Sequence, residues 1–381
     1  VRVGIDVSKA RPPRDGIGVA TFELLRALAA AERQAPGTVE LHLYPLLHPL
    51  DGDALAAELG GWPRGWRFRA GADPAADELD LFHATAWYPP PTFRGPLLFT
   101  CYDLTFLSHP ECHTVANRVH CLEGILRAHL QGAAWTAISH ATAAEMARWL
   151  SVDASSVTVI HPAAAERFRR LPEGDAERWV AERFGVDGSY LLAVGTREPR
   201  KNLPRLIAAH RRLPAELRRT HPLLVAGGAG WGDDVASSPE VDGVRFLDRV
   251  GDDDLVALYN GATLFAYPSL AEGFGLPVLE AMACGAPVLT SNVSATAEVA
   301  GTAPGTAAGT APGTATGTAS GTAARTVDPA DEAALARVLR ELLEDPEERA
   351  RLRRLGLERA AAFSWAETAR HTLDLYRRFA A

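Results

Sequence analysis

The sequence predicts an α/β protein of two consecutive doubly wound parallel-sheet domains joined by a linker. Three observations predict it. Short apolar runs alternate with amphipathic helical stretches, the pattern of parallel βαβ units. The chain has 381 residues, more than one such unit needs and enough for two with substantial cores. A polar stretch at 167–188 separates two successive series of these runs.

In the first series, Val1–Val7 reads as a strand, RPPRDGIG as a loop and Val19–Ala31 as a helix. LHLYPLL (41–47), LDLFHA (79–84), LLFTCYDL (97–104), WTAISH (135–140) and SVTVIHPA (156–163) are further strand candidates. A helix over 141–150 follows Ser139, whose hydroxyl suits an N-cap or a ligand. WPRGWRFR (62–69) reads as an edge strand, with contact to a lipid surface as the other reading.

In the second series the strands are SYLLAVGT (189–196), HPLLVAGG (221–228), GVRFLDRV (243–250), ATLFAYPS (262–269) and APVLTS (286–291). Helices are expected near 202–212, 252–260, 277–284, 331–344 and 346–362. The last stretch, 364–381, has an amphipathic pattern and is expected to return to the first domain. The division is thus 1–166 with 364–381, a linker at 167–188, and 189–363. Residues 301–324 are six GTAx units of period four, too short for a solenoid and too rich in Gly, Pro and Thr for a helix. They read as an expanded, flexible surface loop.

Composition narrows the function. The 47 acidic residues outnumber 39 basic ones, giving net −8, which disfavours a nucleic-acid partner. No apolar run approaches the roughly 18 residues of a membrane span. The start, VRVGIDVS, lacks the basic flank and apolar core of a secretory signal. Cys101, Cys112, Cys121 and Cys284 have no metal-ligand spacing and read as buried thiols. A reducing, cytoplasmic setting is expected. Among the basic residues only Lys9 and Lys201 are lysine, so each merits tracing.

The segment SLAEGFGLPVLEAMACG (269–285) carries the densest chemistry. Glu272 precedes a Gly273-Phe274-Gly275 loop, Pro277 sits in the first turn of a helix and Glu280 lies inside it. Backbone amides of Phe274 to Val278 then converge on an anion site suited to phosphate. A diphosphate flanked at both ends by sugar hydroxyls satisfies the amides and both carboxylates. GTREPRKN (195–202) places Arg197, Arg200 and Lys201 together before a helix, where cations oppose the helix dipole and suit a diphosphate leaving group. The DGIG turn (15–18) opens a helix, and AGGAGWG (226–232) is a poor dinucleotide fingerprint. His83 and Asp103 end strands, where α/β proteins meet ligands; a structural role is the other reading. No nucleophile elbow, zinc-protease motif or P-loop is present.

These residues resemble retaining glycosyltransferase family 4, of the GT-B fold with two Rossmann-like domains, and its mannosyltransferase-like bacterial branch. EGFGLPVLE (272–280) resembles the family's Glu-x7-Glu signature, GTREPRKNL its phosphate-binding segment, and RDGIGVATFELLRAL its glycine loop and first helix. The resemblance implies that Glu280 holds the nucleotide ribose and Glu272 the donor sugar. It implies that amides of Gly273, Phe274, Gly275 and Leu276 meet sugar and phosphates, with Val250 also at the donor. Lys201, with Arg197 or Arg200, would neutralise the departing diphosphate. Gly16, Gly18, His83, Tyr102, Asp103 and Ser139 would line the acceptor side of the cleft.

Two positions depart from the pattern. Tyr102 stands where many members have histidine, which leaves the donor sugar open, and Thr196 stands where many have arginine, which leaves Arg197 and Arg200 as alternatives. The implied function is transfer of a sugar from a GDP- or UDP-linked donor to an acceptor hydroxyl by metal-independent, front-face, retaining chemistry. A sugar-nucleotide 2-epimerase of the same fold and a non-catalytic sugar-nucleotide-binding module are the alternatives. No cofactor or metal is expected. The expected partners are the nucleotide-sugar donor and a glycan, lipid-linked or small-molecule acceptor, with peripheral contact at the inner face of the membrane also allowed.

Overall fold

The computed structural model describes residues 1–231, 240–241, 243–302 and 322–380. They form two compact units, Val1–Ala163 with Ser364–Ala381, and Ala164–Phe363.

The first unit is built on a seven-stranded sheet: β1 (Arg2–Asp6), β2 (Glu40–Tyr44), β3 (Arg67–Phe68), β4 (Leu81–Ala84), β5 (Leu97–Cys101), β6 (Ala134–Ala137) and β7 (Thr158–Val159). The strand order is β3-β2-β1-β4-β5-β6-β7 and every pairing is parallel. The order reverses direction at β1 and β4, so this is a doubly wound sheet. Its central strands are apolar and buried along nearly their whole length, as helices on both faces require. The WPRGWRFR segment supplies the edge strand β3. The C-terminal helix, Trp365–Ala380, packs on the first helix, Gly16–Gln34. It is pinned by Thr368, which donates to the His161 carbonyl at 2.7 Å, and by Tyr376, whose hydroxyl meets His83 Nδ1 at 2.7 Å.

The second unit has strands β8 (Leu191–Val194), β9 (Leu223–Ala226), β10 (Glu240–Val241), β11 (Val244–Asp248), β12 (Leu264–Tyr267), β13 (Val288–Ser291) and β14 (Arg325–Val327). The order is β10-β11-β9-β8-β12-β13-β14, parallel except for the antiparallel β10 at one edge. Leu191, Leu206, Leu223, Leu264, Leu335 and Leu339 centre its core between the sheet and the helices Leu203–Arg211 and Glu332–Glu344.

The 167–188 stretch, expected as a linker, belongs to this second unit and contains the helix Asp175–Phe184. That helix buries Ala176 and Val180, four apart, while packing on the helix Asp252–Gly261. Trp179 Nε1 donates to Asp254 at 2.9 Å and the Leu171 amide to Asn260 at 2.9 Å, so the stretch is tied down by polar bonds that hydropathy does not show. Most of the GTAx repeat, 303–321, lies outside the described residues. Its flanks meet: the Ala323 amide donates to the Ala300 carbonyl at 2.9 Å. All four cysteines are buried, free thiols. Among the described residues no helix is long and apolar enough to cross a membrane.

Candidate active site

The chain leaves β8 through Gly195 (φ +140°), whose amide still bonds the Ala226 carbonyl at 2.9 Å. A Cβ on the facing Gly227 would stand 1.9 Å from the Gly195 carbonyl oxygen, so glycine is required for the two strand ends to meet. A helical turn, Pro199–Lys201, follows and ends in left-handed Asn202. The Asn202 amide group donates to the carbonyls of Pro268 at 2.9 Å and Pro329 at 2.8 Å, and the Leu270 amide donates to Arg200 O at 2.9 Å. These bonds clamp the basic turn against the segment that leaves β12.

The clamp creates a buried charge network. Lys201 Nζ donates to Glu272 Oε1 at 2.8 Å and to the Tyr267 hydroxyl at 2.6 Å, while Tyr267 itself donates to Glu272 Oε1 at 2.8 Å. Arg200 bridges the carboxylates of Glu272 and Glu198 and donates to Ala271 O at 2.9 Å. The side chains of Glu198, Arg200, Lys201 and Glu272 are each no more than 13% exposed. Two cations and two carboxylates balance, which is how such burial is tolerated. Burial would raise the Glu272 carboxyl, but the Arg200 and Lys201 charges hold it down at about 2. Burial and the neighbouring Arg200 lower the Lys201 ammonium, with Glu272 and Glu198 opposing the shift.

Arg197 sits apart from this network. It donates to Asp248 at 2.8 Å at the end of β11 and lies over the Phe246 ring, 5.6 Å from its centroid. Of the two arginines left open by the sequence, Arg200 is the one joined to Lys201. Val250 is half-buried two residues beyond β11.

Gly275 (φ +106°) caps the helix Leu276–Ala283, with Pro277 in its first turn. The expected row of amides from Phe274 to Val278 is shorter than its five residues, because Pro277 has no N–H and the Val278 amide donates to Gly275 O at 2.9 Å. Glu272 is fixed at the loop entrance, its amide donating to Ser294 Oγ at 3.1 Å. Phe274 is buried edge-on against Phe363. Glu280 is also buried; burial pushes its carboxyl up to about 7, although Tyr259 donates to Oε2 at 3.2 Å and the Arg167 charge opposes the rise. The two glutamates of the signature thus have opposite environments, one ion-paired with two cations and one buried with a neutral tyrosine hydroxyl as its hydrogen-bond donor.

In the first unit, Asp15 caps the helix begun by Gly16, accepting from the Gly18 amide at 2.8 Å, and Lys9 Nζ holds the other oxygen at 2.9 Å. Gly18 has no room for a side chain, since a Cβ would lie 2.4 Å from the Lys9 carbonyl. Tyr102 is buried near Thr21 of the same helix. Ser139 caps the helix His140–Leu150 by accepting from the Thr142 amide at 2.9 Å, and Thr142 Oγ1 donates to Tyr102 O at 3.4 Å. Asp103 accepts from the amide and hydroxyl of Thr105 at 3.0 and 2.8 Å. The glycine turn, Tyr102 and Ser139 therefore share one neighbourhood. His83 is in the core, its ring nitrogens engaged by Thr100 and Tyr376 at 2.7 Å each, and burial lowers it to about 3. It is a neutral, packed histidine.

Sequence reasoning passed over Glu198, Tyr267, Asp248 and Tyr259, the partners of Lys201, Glu272, Arg197 and Glu280. Glu198 was detectable as the single acid in a basic turn, and Tyr267 as the last residue of a strand facing the loop that holds Glu272. Among the described residues, neither unit alone gathers three His, Cys, Asp or Glu ligand atoms around one point.

Residues 180–359 match the family model of glycosyl transferases group 1. The chain is 32% identical to the O-antigen chain mannosyltransferase B of Escherichia coli over 305 residues, 78% of this chain and 74% of that one. It is 28% identical to the D-inositol 3-phosphate glycosyltransferase of Salinispora arenicola, across 95% of this chain and 86% of the relative. Among solved structures, Anabaena Alr3699/HepE in complex with UDP-glucose superposes with a TM-score of 0.71 at 17% identity over 99% of both chains, a likeness of fold. A relative matched this closely, over sheets of this order and a site of this composition, settles the family: the chain belongs to the glycosyl transferases group 1 family and is a glycosyltransferase of the GT-B fold.

Proposed function

We propose that this enzyme transfers a sugar from a nucleoside diphosphate sugar, GDP- or UDP-linked, to an acceptor hydroxyl with retention of configuration. One observation carries the reading: Glu272 shared by Lys201, Arg200 and Tyr267 beside the ends of β8 and β12. Ligands of open α/β sheets sit beyond the carboxyl ends of the strands. A diphosphate arriving there brings negative charge to Lys201 and Arg200, which frees Glu272 to accept hydrogen bonds from sugar hydroxyls. Gly273 to Leu276 supply the small backbone elements next to it, Arg197 is the reserve cation, and Glu280 takes the ribose hydroxyls. No metal is part of this scheme.

In the reaction, the bond from the anomeric carbon to the phosphate oxygen breaks as the acceptor oxygen attacks from the same face. The departing phosphate oxygen takes the acceptor proton. Before the donor arrives, two cations hold the Glu272 carboxyl at about 2; once the diphosphate engages them, Glu272 is the acceptor of sugar hydroxyl bonds and serves to position the sugar. Electrostatic support of the leaving group and orientation of the two substrates then supply the rate. The names of both relatives support a sugar donor, and the O-antigen enzyme supports mannose and a glycan acceptor.

A thermal-shift panel of nucleoside diphosphates and their sugars, followed by NMR of the product anomer, tests the reading. A ligand at a hundred times its Kd adds about 2.7 kcal/mol of stability. A shift for one nucleotide series and an axial or equatorial product matching the donor are expected. Folded protein with no shift across the panel, or a product of inverted configuration, overturns it.

A further inference from the structure

The helix Val115–Leu130 wears its apolar face outward. Its inner face is Cys121, Gly124, Ile125 and Ala128, all buried. Gly124 comes so close to the chain that a Cβ would stand 2.1 Å from the Trp87 carbonyl oxygen. Thr114 caps the start, accepting from the Asn117 amide at 3.2 Å, and Gln131 just past the end donates to Pro90 O at 3.1 Å. The rotation of the helix is therefore set. On the opposite side Val115, Val119, Leu122, Leu126 and Leu130 fall in one stripe about 80° wide, at 100° per residue. They are 74, 49, 40, 50 and 84% exposed. Five of the eleven large hydrophobic residues exposed among the described residues lie on this one helix, which is concentration rather than scatter.

Charge selects the occupant. Exposed Arg118, Arg127, His120 and His129 border the stripe, and Glu123 is the helix's single acid, although the whole chain carries net −8. A second copy of the helix would bring like charges to the rim of the contact. An anionic lipid surface answers both features, its phosphates meeting the arginines while Val and Leu side chains enter the acyl boundary. We propose that the helix Val115–Leu130 docks this enzyme on an anionic phospholipid bilayer. The inference stands independently of the donor chemistry.

Flotation of the full chain with phosphatidylcholine vesicles, with or without about one third phosphatidylglycerol, tests it. Wild type should float with the anionic vesicles and be released by salt. Leu122→Glu with Leu126→Glu, at exposed positions, should weaken binding at least about ten-fold with an unchanged thermal midpoint. Arg118→Glu with Arg127→Glu should abolish the preference for anionic lipid. Should the leucine pair fail to fold, Val119→Trp provides a second readout: its emission should shift to the blue and be quenched by brominated acyl chains. Wild type left unbound at low salt, or the leucine pair floating like wild type, overturns the proposal. So does a dimer, seen by light scattering, that the leucine pair dissolves, because a second copy would then cover the stripe.

Discussion

Glu272 and Glu280 begin from the same ordinary value of 4.5 and are moved in opposite directions, to about 2 and about 7. Glu280 keeps its proton longer in the folded chain than in the unfolded one. Its contribution to stability therefore declines as pH climbs from 4.5 through about 7, and the cost is full above that. Glu280→Gln should raise stability by about 2 kcal/mol at pH 8 and change little at pH 5, measured by urea unfolding at both pH values. If Glu280 accepts ribose hydroxyls, nucleotide affinity should strengthen up to about ten-fold per pH unit below 7 and level off above it. Calorimetric titration across that range would show the slope, and Glu280→Gln should remove it. Lys201→Ala takes one cation from a balanced network and leaves Glu272 with Arg200 and Tyr267. We expect turnover to fall about a hundred-fold or more with KM changed far less, because the ammonium matters most as the diphosphate departs. Single-turnover kinetics on the folded variant would decide it, and near-normal turnover would remove that role.

At the scale of elements, close backbone contacts set geometry that side chains then exploit. Gly124 against Trp87 is one such contact, and Gly124→Ala must move a helix to make room for a single methyl. A loss of about 1–3 kcal/mol is expected in chemical denaturation, as for other forced insertions into tight packing. The helix Val115–Leu130 also shows why periodicity alone misleads. Its strongest apolar repeat lies on the exposed side, while Ile125 and the small Cys121, Gly124 and Ala128 make the inner face. The Asp175–Phe184 helix errs in the other direction, polar enough to read as a linker yet fastened by two apolar side chains and Trp179.

The whole molecule divides into two sheets with a chain that returns at its end. Trp365, Ala369, Leu373, Leu375 and Tyr376 of the C-terminal helix are buried in the first unit. Truncation after Phe363 should therefore unfold or aggregate that unit, which near-ultraviolet circular dichroism and limited proteolysis would reveal. The GTAx tract is expected to behave differently, since Ala300 and Ala323 already meet across its base. Removing five of its six units should change stability by less than about 1 kcal/mol, because loop-closure entropy grows only slowly with length. Thermal unfolding of the shortened chain is the check.

By itself the sequence determined the alternation of strands and helices, an edge strand within 62–69, the return of the C-terminal helix, and the residue types of the site. Those are local properties: hydrophobic period, glycine and proline at helix starts, and cations placed against a helix dipole. Tertiary structure alone decided which of them meet. Lys201 and Glu272 are 71 positions apart and become partners only because Asn202 ties its loop to Pro268 and Pro329. The same clamp joined Arg200 to Glu272 and left Arg197 with Asp248, a choice no spacing in the chain expresses. His83 ends a strand, where a ligand role and a structural one read alike, and only Thr100 and Tyr376, closing on it from distant segments, make it a packed core residue. Pairings at long range depend on sheet order and on where polar groups find partners once water is excluded, and both arise only when the units have folded.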